Sequence, residues 1–409
     1  MIGMARTVAR LTDGARITDY ISLGVIHKAI PLAAVRAVLA ETGRASRRQR
    51  ELPAHVMVYY VIALALFMQA SYREVLRCLL EGLRWLLQPG DVPPVTGKSG
   101  ISQARTRLGW EVMQRLHHRV VHPVARRQTR GAWYRAWRVV TLDGSTLDVT
   151  DTQANDAAFG RQRGDRGDSA FPQVRFVSLL ENGTHVLFGS LLAPYATGEV
   201  TLAHEVVGRL RKRMLCLADR VFFGFALWEK AHATGADLLW RMKTDAKLPC
   251  HKRLPDGSYL SRIRRRRASR NDPRNEQTVR VIEYTLEGIP DAEPCYRLLT
   301  TIVDPDRAPA AELAALYHER WEIEGALDEF KTHLRGARIL LRSKTPDLVR
   351  QEFYGLMLAH FAVRGLMHEA ALQADEDPDR LSFVHSVRVV QRQIRRFVAL
   401  SPSGPESLS

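Results

Sequence analysis

The chain has 409 residues, 45% of them hydrophobic and 25% charged, with a formal net charge of +16 from 60 Lys and Arg against 44 Asp and Glu. These figures exclude a disordered chain, call for two or three domains around at least one large core, and favour a polyanionic partner, nucleic acid ahead of an acidic membrane surface.

From residue 12 to 85 the apolar residues recur at helical spacing, proline stands at helix starts, and no β alternation occurs. The N-terminus shows no apolar segment followed by a small-residue cleavage site, so a cytoplasmic protein is expected. The apolar run from Val56 to Met68 is short of the roughly 18 to 20 residues that span a bilayer, and it reads as a buried helix. A breaker-rich stretch, Gln88 to Gly100, ends this block. A basic helix pair follows, in which Arg105 and Arg107 could face a DNA groove, although basic amphipathic helices are common. His118 and His122 have the spacing of a zinc-ligand pair but no further ligands, and read better as lining a basic surface.

From Trp137 the pattern becomes that of strands: RVVTLDGSTLDVTD, QVRFVSLLEN and THVLFGSLLAPY, the last two separated by little more than Asn-Gly, a hairpin signal. A helix (TLAHEVVGRLRKR), a strand (MLCLADRVFF), a helix (ALWEKAHATG) and a strand (LLWRMK) come next. Three strands in a meander followed by alternating helix and strand is the order of an RNase H-like α/β domain, although order alone gives no function. Trp240 in the last strand reads as a core residue, with stacking on an unpaired base as the alternative. Lys243 to Val303 is turn-rich with short alternating runs, and reads as a β insertion. Beyond it lie an amphipathic helix, a long apolar helix from Thr345 to Leu372, and a polar tail expected to be disordered. Cys78, Cys216, Cys250 and Cys295 are far apart with no Cys-x-x-Cys spacing, which excludes a zinc ribbon or disulfide framework and predicts free core thiols.

Asp143 and Asp219 each follow an apolar strand, where desolvation is costly unless positive charge compensates. A lone Asp there is equally a turn or cap residue. If the strands are neighbours the two carboxylates converge, and Glu324 from the amphipathic helix could complete a set of hard oxygen donors suited to Mg²⁺ or Mn²⁺. On that helix Tyr317, Arg320, Glu324 and Lys331 are offset by 3, 7 and 14 residues from the first, which at about 100° per residue forms one narrow row. The row borders an apolar stripe of Ile323, Leu327, Phe330 and Leu334, with Glu319, Glu322 and Glu329 on the opposite, solvent-facing side. Arg320 and Glu324 alone are an ordinary helix pair.

These residues carry a resemblance. Tyr317, Arg320, Glu324 and Lys331 stand at the spacing of the last catalytic region of the insertion-sequence-four family of DDE transposases, and LDGSTLDVTD and LADRVFFG look like its first and second Asp regions. The resemblance implies Asp143, Asp219 and Glu324 as catalytic metal ligands for Mg²⁺ or Mn²⁺, two ions in all, and Tyr317, Arg320 and Lys331 as contacts to DNA near the scissile phosphate. It also implies double-stranded DNA, both transposon ends and target, as partner, a homodimer on paired ends, and action in the cytoplasm on nucleoid DNA.

The expected fold is α/β: an RNase H-like catalytic domain with a β-rich insertion, preceded by an all-helical N-terminal domain. The expected boundaries are 1–95 for the helical DNA-binding domain, 96–136 for a basic helical connection, 137–345 for the catalytic domain with its insertion at about 244–300, 346–400 for C-terminal helices and 401–409 for the tail. Arg161, Arg163 and Arg166 on a Gly-rich loop, and the run from Arg262 to Arg270, suit phosphate contact, with a solvated loop as the alternative for each. Two other functions compete with transposition. A metal-dependent nuclease without strand transfer would not need the Tyr, Arg, Glu, Lys row, and a repurposed, inactive DNA-binding protein would not need all three carboxylates.

Overall fold

Proline and glycine set the helix starts of the first half. In the computed structural model, which describes residues 23–46, 52–67, 70–83, 97–164, 167–243, 246, 248–265, 276–286, 293–318, 320, 322–333 and 340–387, the chain divides into two units. The first comprises residues 1–121, 330–370 and 380–409. It holds α1 (Leu23–Ala29), α2 (Leu32–Glu41, entered through Pro31), α3 (Ala54–Leu66, entered through Pro53), α4 (Tyr72–Leu83), α5 (Lys98–Leu108), α6 (Glu111–Val120) and most of the long helix Pro346–Ala374. A helix apolar on every side must be buried on every side, and Val56 to Leu66 of α3 are all buried. Gly355 lets the long helix approach α3, since a Cβ there would lie 2.7 Å from the Val61 carbonyl oxygen.

Residues 98–121 and 330–370 thus fold in one unit with the N-terminal helices, whereas the expected boundaries put 96–136 in a connection, 137–345 in the catalytic domain and 346–400 in C-terminal helices. Arg105 differs from expectation too. It lies on the inner face of α5 with Ile101, Ala104 and Leu108, is 3% exposed, and donates from Nε to Gln351 Oε1 (2.9 Å) and from Nη2 to Ser343 Oγ (3.0 Å). Its guanidinium therefore joins α5 to the long helix and does not face a groove.

The second unit comprises residues 122–329 and 371–379. Its strands are β1 (Trp137–Val149), β2 (Gln173–Glu181), β3 (Val186–Pro194), β4 (Met214–Ala218), β5 (Asp237–Met242), β6 (Tyr259–Arg264), β7 (Glu276–Tyr284) and β8 (Tyr296–Thr300), and its main helices α7 (Gln153–Phe159), α8 (Glu199–Val206), α9 (Phe225–His232), α10 (Ala310–His318) and α11 (Glu322–Asp328). They form one sheet in the order β3-β2-β1-β4-β5-β8-β7-β6. β1, β2 and β3 are antiparallel neighbours, while β4 is parallel to β1 and β5 to β4. This is the RNase H-like arrangement, and α9 supplies the crossover that a parallel β4–β5 pair requires. The Asn182-Gly183 turn makes the expected β2–β3 hairpin; Gly183 has φ 75°, and a Cβ there would collide with the Arg130 carbonyl.

The β insertion does not form a separate lobe. β8 pairs antiparallel with β5, from Arg297 opposite Met242 to Thr300 opposite Leu239, so the insertion widens the central sheet. α10 packs on the sheet through Leu313, Leu316 and Tyr317, against Val139, Leu215, Leu217, Leu239, Ile282 and Leu298. Trp240 is fully buried beside Trp228, as expected of a core strand. Cys216 is buried, but Cys250 is exposed, so the expectation of core thiols fails there. Residues 401–409 and the side chain of Cys78 lie outside the described residues. No helix among the described residues is long and apolar enough to cross a membrane.

The insertion also fixes the start of α10. Arg280 of β7 is fully buried, pairs with Asp256, and donates to Ser258 Oγ (2.8 Å) and to the Ala308 carbonyl (2.6 Å). Asp256 Oδ2 accepts the N–H of Ala310 (2.8 Å), the first residue of α10, where a negative charge complements the helix dipole. Burial by itself would raise the Asp256 pKa, but the Ser258 hydroxyl, the Ala310 N–H and Arg280 outweigh it and hold the carboxyl below its ordinary value. Such a lowered carboxyl stabilises the fold above its unfolded pKa and loses that contribution as pH falls through the folded value. Asp256→Asn, which strands a buried guanidinium, is therefore expected to cost about 3 to 5 kcal/mol at neutral pH. In urea titrations the gap between variant and wild type should narrow below about pH 4; a gap independent of pH would show that the pair is not ionic.

Candidate active site

The register of β1 and β4 places Leu142 opposite Ala218, so the residues that follow, Asp143 within β1 and Asp219 just past the end of β4, come out near one another. The two positions are not equivalent. β4 ends at Ala218, and Asp219 caps a 3-10 turn, its Oδ1 accepting the Arg220 N–H at 2.7 Å. Asp143 lies within β1, which continues to Val149, so it is not at a strand end as its sequence suggests. Its Oδ1 accepts the Gly144 N–H at 2.8 Å. Burial pushes the Asp143 carboxyl up to about 6; the Gly144 N–H and Arg320 oppose that rise, while Glu199 and Asp219 add to it.

Glu199 has no signal in the sequence. It opens α8 after Gly198, as acidic residues commonly do at helix N-termini. Gly144 is what admits it beside Asp143, because a Cβ on that glycine would lie 2.9 Å from Glu199 Cδ. Arg175 Nε stands 3.8 Å from the Glu199 carboxylate.

Glu324 joins this group through Arg320, whose Nη1 is 3.8 Å from Asp143 Oδ2 and whose Nη2 is 3.6 Å from Glu324 Oε1. Arg320 is nearly buried, whereas the Glu324 side chain is 51% exposed. The single helix expected to carry the row is not continuous: α10 ends at His318, Arg320 falls in a 3-10 turn, α11 begins at Glu322, and Glu329–His333 is a π turn. Tyr317 is 4% exposed and belongs to the core. Its hydroxyl donates to the carbonyl of Ala218, at 3.3 Å, directly before Asp219. Burial raises its pKa, so the phenol is a neutral donor. Lys331, on the π turn, is half-buried and belongs to the first unit. Ile323, Leu327 and Phe330 are buried as expected, while Leu334, Glu319 and the Glu322 side chain lie outside the described residues. Glu329 does not face solvent: its side chain is 18% exposed, with Oε2 3.8 Å from His185 Nδ1.

The expected phosphate contacts divide. Arg161 is taken up by Asp151 (2.5 Å) and Asp156 (2.9 Å), Arg163 is exposed, and Arg166 lies outside the described residues. Arg262 and Arg264 both reach Glu276, at 3.0 and 2.9 Å, and Arg265 reaches Glu229; residues 266–270 are not described. Arg241 of β5, which the sequence did not single out, lies over the Tyr296 ring (4.7 Å) and pairs with Glu293 (2.5 Å), which also holds Arg220 (3.0 Å).

Among the described residues no three His, Cys, Asp or Glu side chains stand close enough to hold one metal ion, His118 and His122 included. The donor chemistry around Asp143 nonetheless fits a hard divalent cation. All its acidic side chains are oxygen donors, and Asp143 is a part-buried carboxylate with the acidic Glu199 and Asp219 beside it.

Residues 20–118 match the family described as insertion element 4 transposase, N-terminal, and residues 137–362 match the transposase DDE domain. The chain is 31% identical over 378 residues to the transposase InsG for insertion sequence element IS4 of Escherichia coli K12, covering 89% of this chain and 81% of that protein. It is 22% identical over 213 residues to the putative transposase InsZ of the same organism, covering 52% of this chain and 68% of that one. Among solved structures, the piggyBac transposase in a synaptic complex with hairpin DNA aligns with a TM-score of 0.47 at 10% identity, over 94% of this chain and 83% of that one.

Three variants test the site by denaturation in the presence of a chelator. Tyr317→Phe removes one hydrogen bond and should cost about 1 kcal/mol, whereas Tyr317→Ala empties a core position and should cost about 3 to 5 kcal/mol; equal small losses would contradict its burial. A carboxyl raised by burial favours the folded state below its unfolded pKa and loses that advantage as pH rises through its folded value. Asp143→Asn should therefore gain stability over wild type as pH rises from about 4 through about 6, by on the order of 1 to 3 kcal/mol. Absence of that gain would mean that Arg320 already neutralises the carboxylate.

Proposed function

The chain belongs to the insertion element 4 family of DDE transposases, and from that premise we propose that it catalyses cut-and-paste transposition of an insertion sequence. In this reading the helical first unit binds the element's terminal inverted repeats. The sheet-bearing unit hydrolyses a phosphodiester to free each 3′ hydroxyl and joins that hydroxyl to target DNA. A homodimer would act on paired ends, with nucleoid DNA in the cytoplasm as substrate.

The observation that carries the reading is the parallel pairing of β1 with β4, which brings Asp143 near Asp219 at the end of β4, with Arg320 between Asp143 and Glu324. Asp143, Asp219 and Glu324 would hold Mg²⁺ or Mn²⁺, most simply two ions. When bound, such ions supply activation of a water or 3′ hydroxyl and neutralise charge at the scissile phosphate. Arg320 lies between the Asp143 and Glu324 carboxylates, and its guanidinium is suited to a phosphate oxygen. Tyr317 acts from below, fixing the Ala218 carbonyl and so the departure of Asp219 from the sheet. Its burial supports a positioning role, and direct DNA contact is left to Arg320 and Lys331. A nuclease without strand transfer, or an inactive descendant, is disfavoured by a carboxylate set and Tyr, Arg, Glu, Lys spacing that are both intact.

The test is cleavage of supercoiled DNA bearing the flanks of the coding region. Mg²⁺-dependent cuts at the flanks are expected for wild type, reduced roughly 10² to 10³-fold or more in Asp143→Asn, Asp219→Asn and Glu324→Ala, with binding to the flanks retained. Flank binding by the wild type with no cleavage under any divalent metal would overturn the catalytic assignment.

A further inference from the structure

The N-terminal ends of β1 and β4 lie together, at the opposite end of these strands from Asp219. The backbone N–H of Arg138 donates to the carbonyl of Arg213 at 2.8 Å. Arg213 and Asp219 are separated by about 20 Å along β4 at about 3.3 Å per residue. Around this strand entrance the surface is basic. Arg126, Arg127, Arg211, Lys212 and Arg213 are all exposed, and among the described residues none of the five is ion-paired to a carboxylate.

Six arginines of the same unit are set differently, whereas Arg163, Arg209, Arg253 and Arg307 also have no carboxylate partner among the described residues but do not lie over the Trp133 ring. Arg138, Arg161, Arg175, Arg241, Arg280 and Arg297 each face an Asp or Glu. The carboxylates at this end are already engaged. Glu181 is buried against Arg138, Asp237 accepts from Trp137 Nε1 (2.6 Å) and Thr301 Oγ1 (2.9 Å), and Glu312 holds Arg135 (3.0 Å). An aromatic plate lies among the cations: Arg127 and Arg138 are 4.5 and 4.7 Å from the ring of the half-buried Trp133, whose Nε1 donates to the Arg126 carbonyl at 2.7 Å. That stacking orders the Arg126–Arg127 segment while leaving its charge unneutralised. Arg213 itself adopts φ 70°, where glycine would be unstrained.

We propose that this strand entrance, from Arg126 and Arg127 to Arg213, is a second DNA-binding surface that grips the phosphate backbone of duplex DNA without reading sequence. Exposed guanidinium and ammonium groups with no carboxylate to satisfy them match a polyanion, and contacts to phosphate carry position and affinity but no sequence information. Along a straight duplex a distance of about 20 Å corresponds to about six base pairs at 3.4 Å each, so phosphates bound here lie well away from the one at the carboxylates. The inference rests on the transposase reading only for the identity of the polyanion.

The experiment uses the full chain carrying Glu324→Ala, so that cleavage plays no part, and a labelled random-sequence duplex in a salt titration followed by fluorescence anisotropy. Each lost phosphate contact lowers the slope of log affinity against log salt by about 0.9. Adding Arg126→Gln, Arg127→Gln and Arg213→Gln together should therefore make the slope shallower by about 2.7. Lys212→Gln, which removes no hydrogen bond, should shift it by about 0.9 and keeps the test open if the triple variant does not fold. Unchanged slopes in folded variants that still bind duplex would overturn this surface and leave the active site untouched. Failure of the parent chain to bind any duplex would overturn it together with the transposase reading.

Discussion

The parallel pairing of β1 with β4 is the constraint on which the rest of the molecule depends. Setting Leu142 against Ala218 brings Asp143 near Asp219 at the end of β4, and the repulsion of two close carboxylates must then be met by positive charge. Arg320 meets it in this structure, and only because α10 delivers the following turn to the same place. The position of α10 is in turn fixed at both ends. Asp256 holds its first N–H and Tyr317 ties its last turn to the Ala218 carbonyl. The insertion, which supplies Asp256 and Arg280, is thus a structural support for the helix leading to Glu324, whatever else it contacts.

Much of this was legible in the sequence because the signals are local. The short apolar runs Val139–Leu142 and Met214–Ala218 before Asp143 and Asp219, the Asn-Gly turn between β2 and β3, and the wholly apolar stretch that becomes α3 each report one element through local sequence alone. The fixed spacing of Tyr317, Arg320, Glu324 and Lys331 identified the family, and with it the catalytic region. Trp240 went into the core for the same local reason, since it sits in an apolar strand.

What was not legible depends on tertiary context. Tyr317 belongs by its spacing to a row at the edge of the apolar stripe, yet with Leu313 one turn before it and the adjacent Leu316 it enters the core itself. Arg105 looks like a groove-reading residue until Gln351 and Ser343, far along the chain, are seen to bind it. The gap between α10 and α11 could not be read from a pattern that fits one continuous helix. Glu199 became visible only through the missing side chain of Gly144. Spacing reports which residues share a helix face, but it does not report which face the fold covers.

The order in which the carboxylates occur along the chain also has a consequence during synthesis. The strands from β1 to β5 are complete once Met242 has left the ribosome, and domains begin folding from the N-terminal side. At that stage Asp143 and Asp219 can already lie close together, but the β8 edge, Asp256, Arg280 and Glu324 have not yet emerged. A chain interrupted before the insertion therefore has two of the three acidic residues and no helix to present the third. Under the proposed assignment, a truncated product lacks the means to cut the DNA beside which it is made.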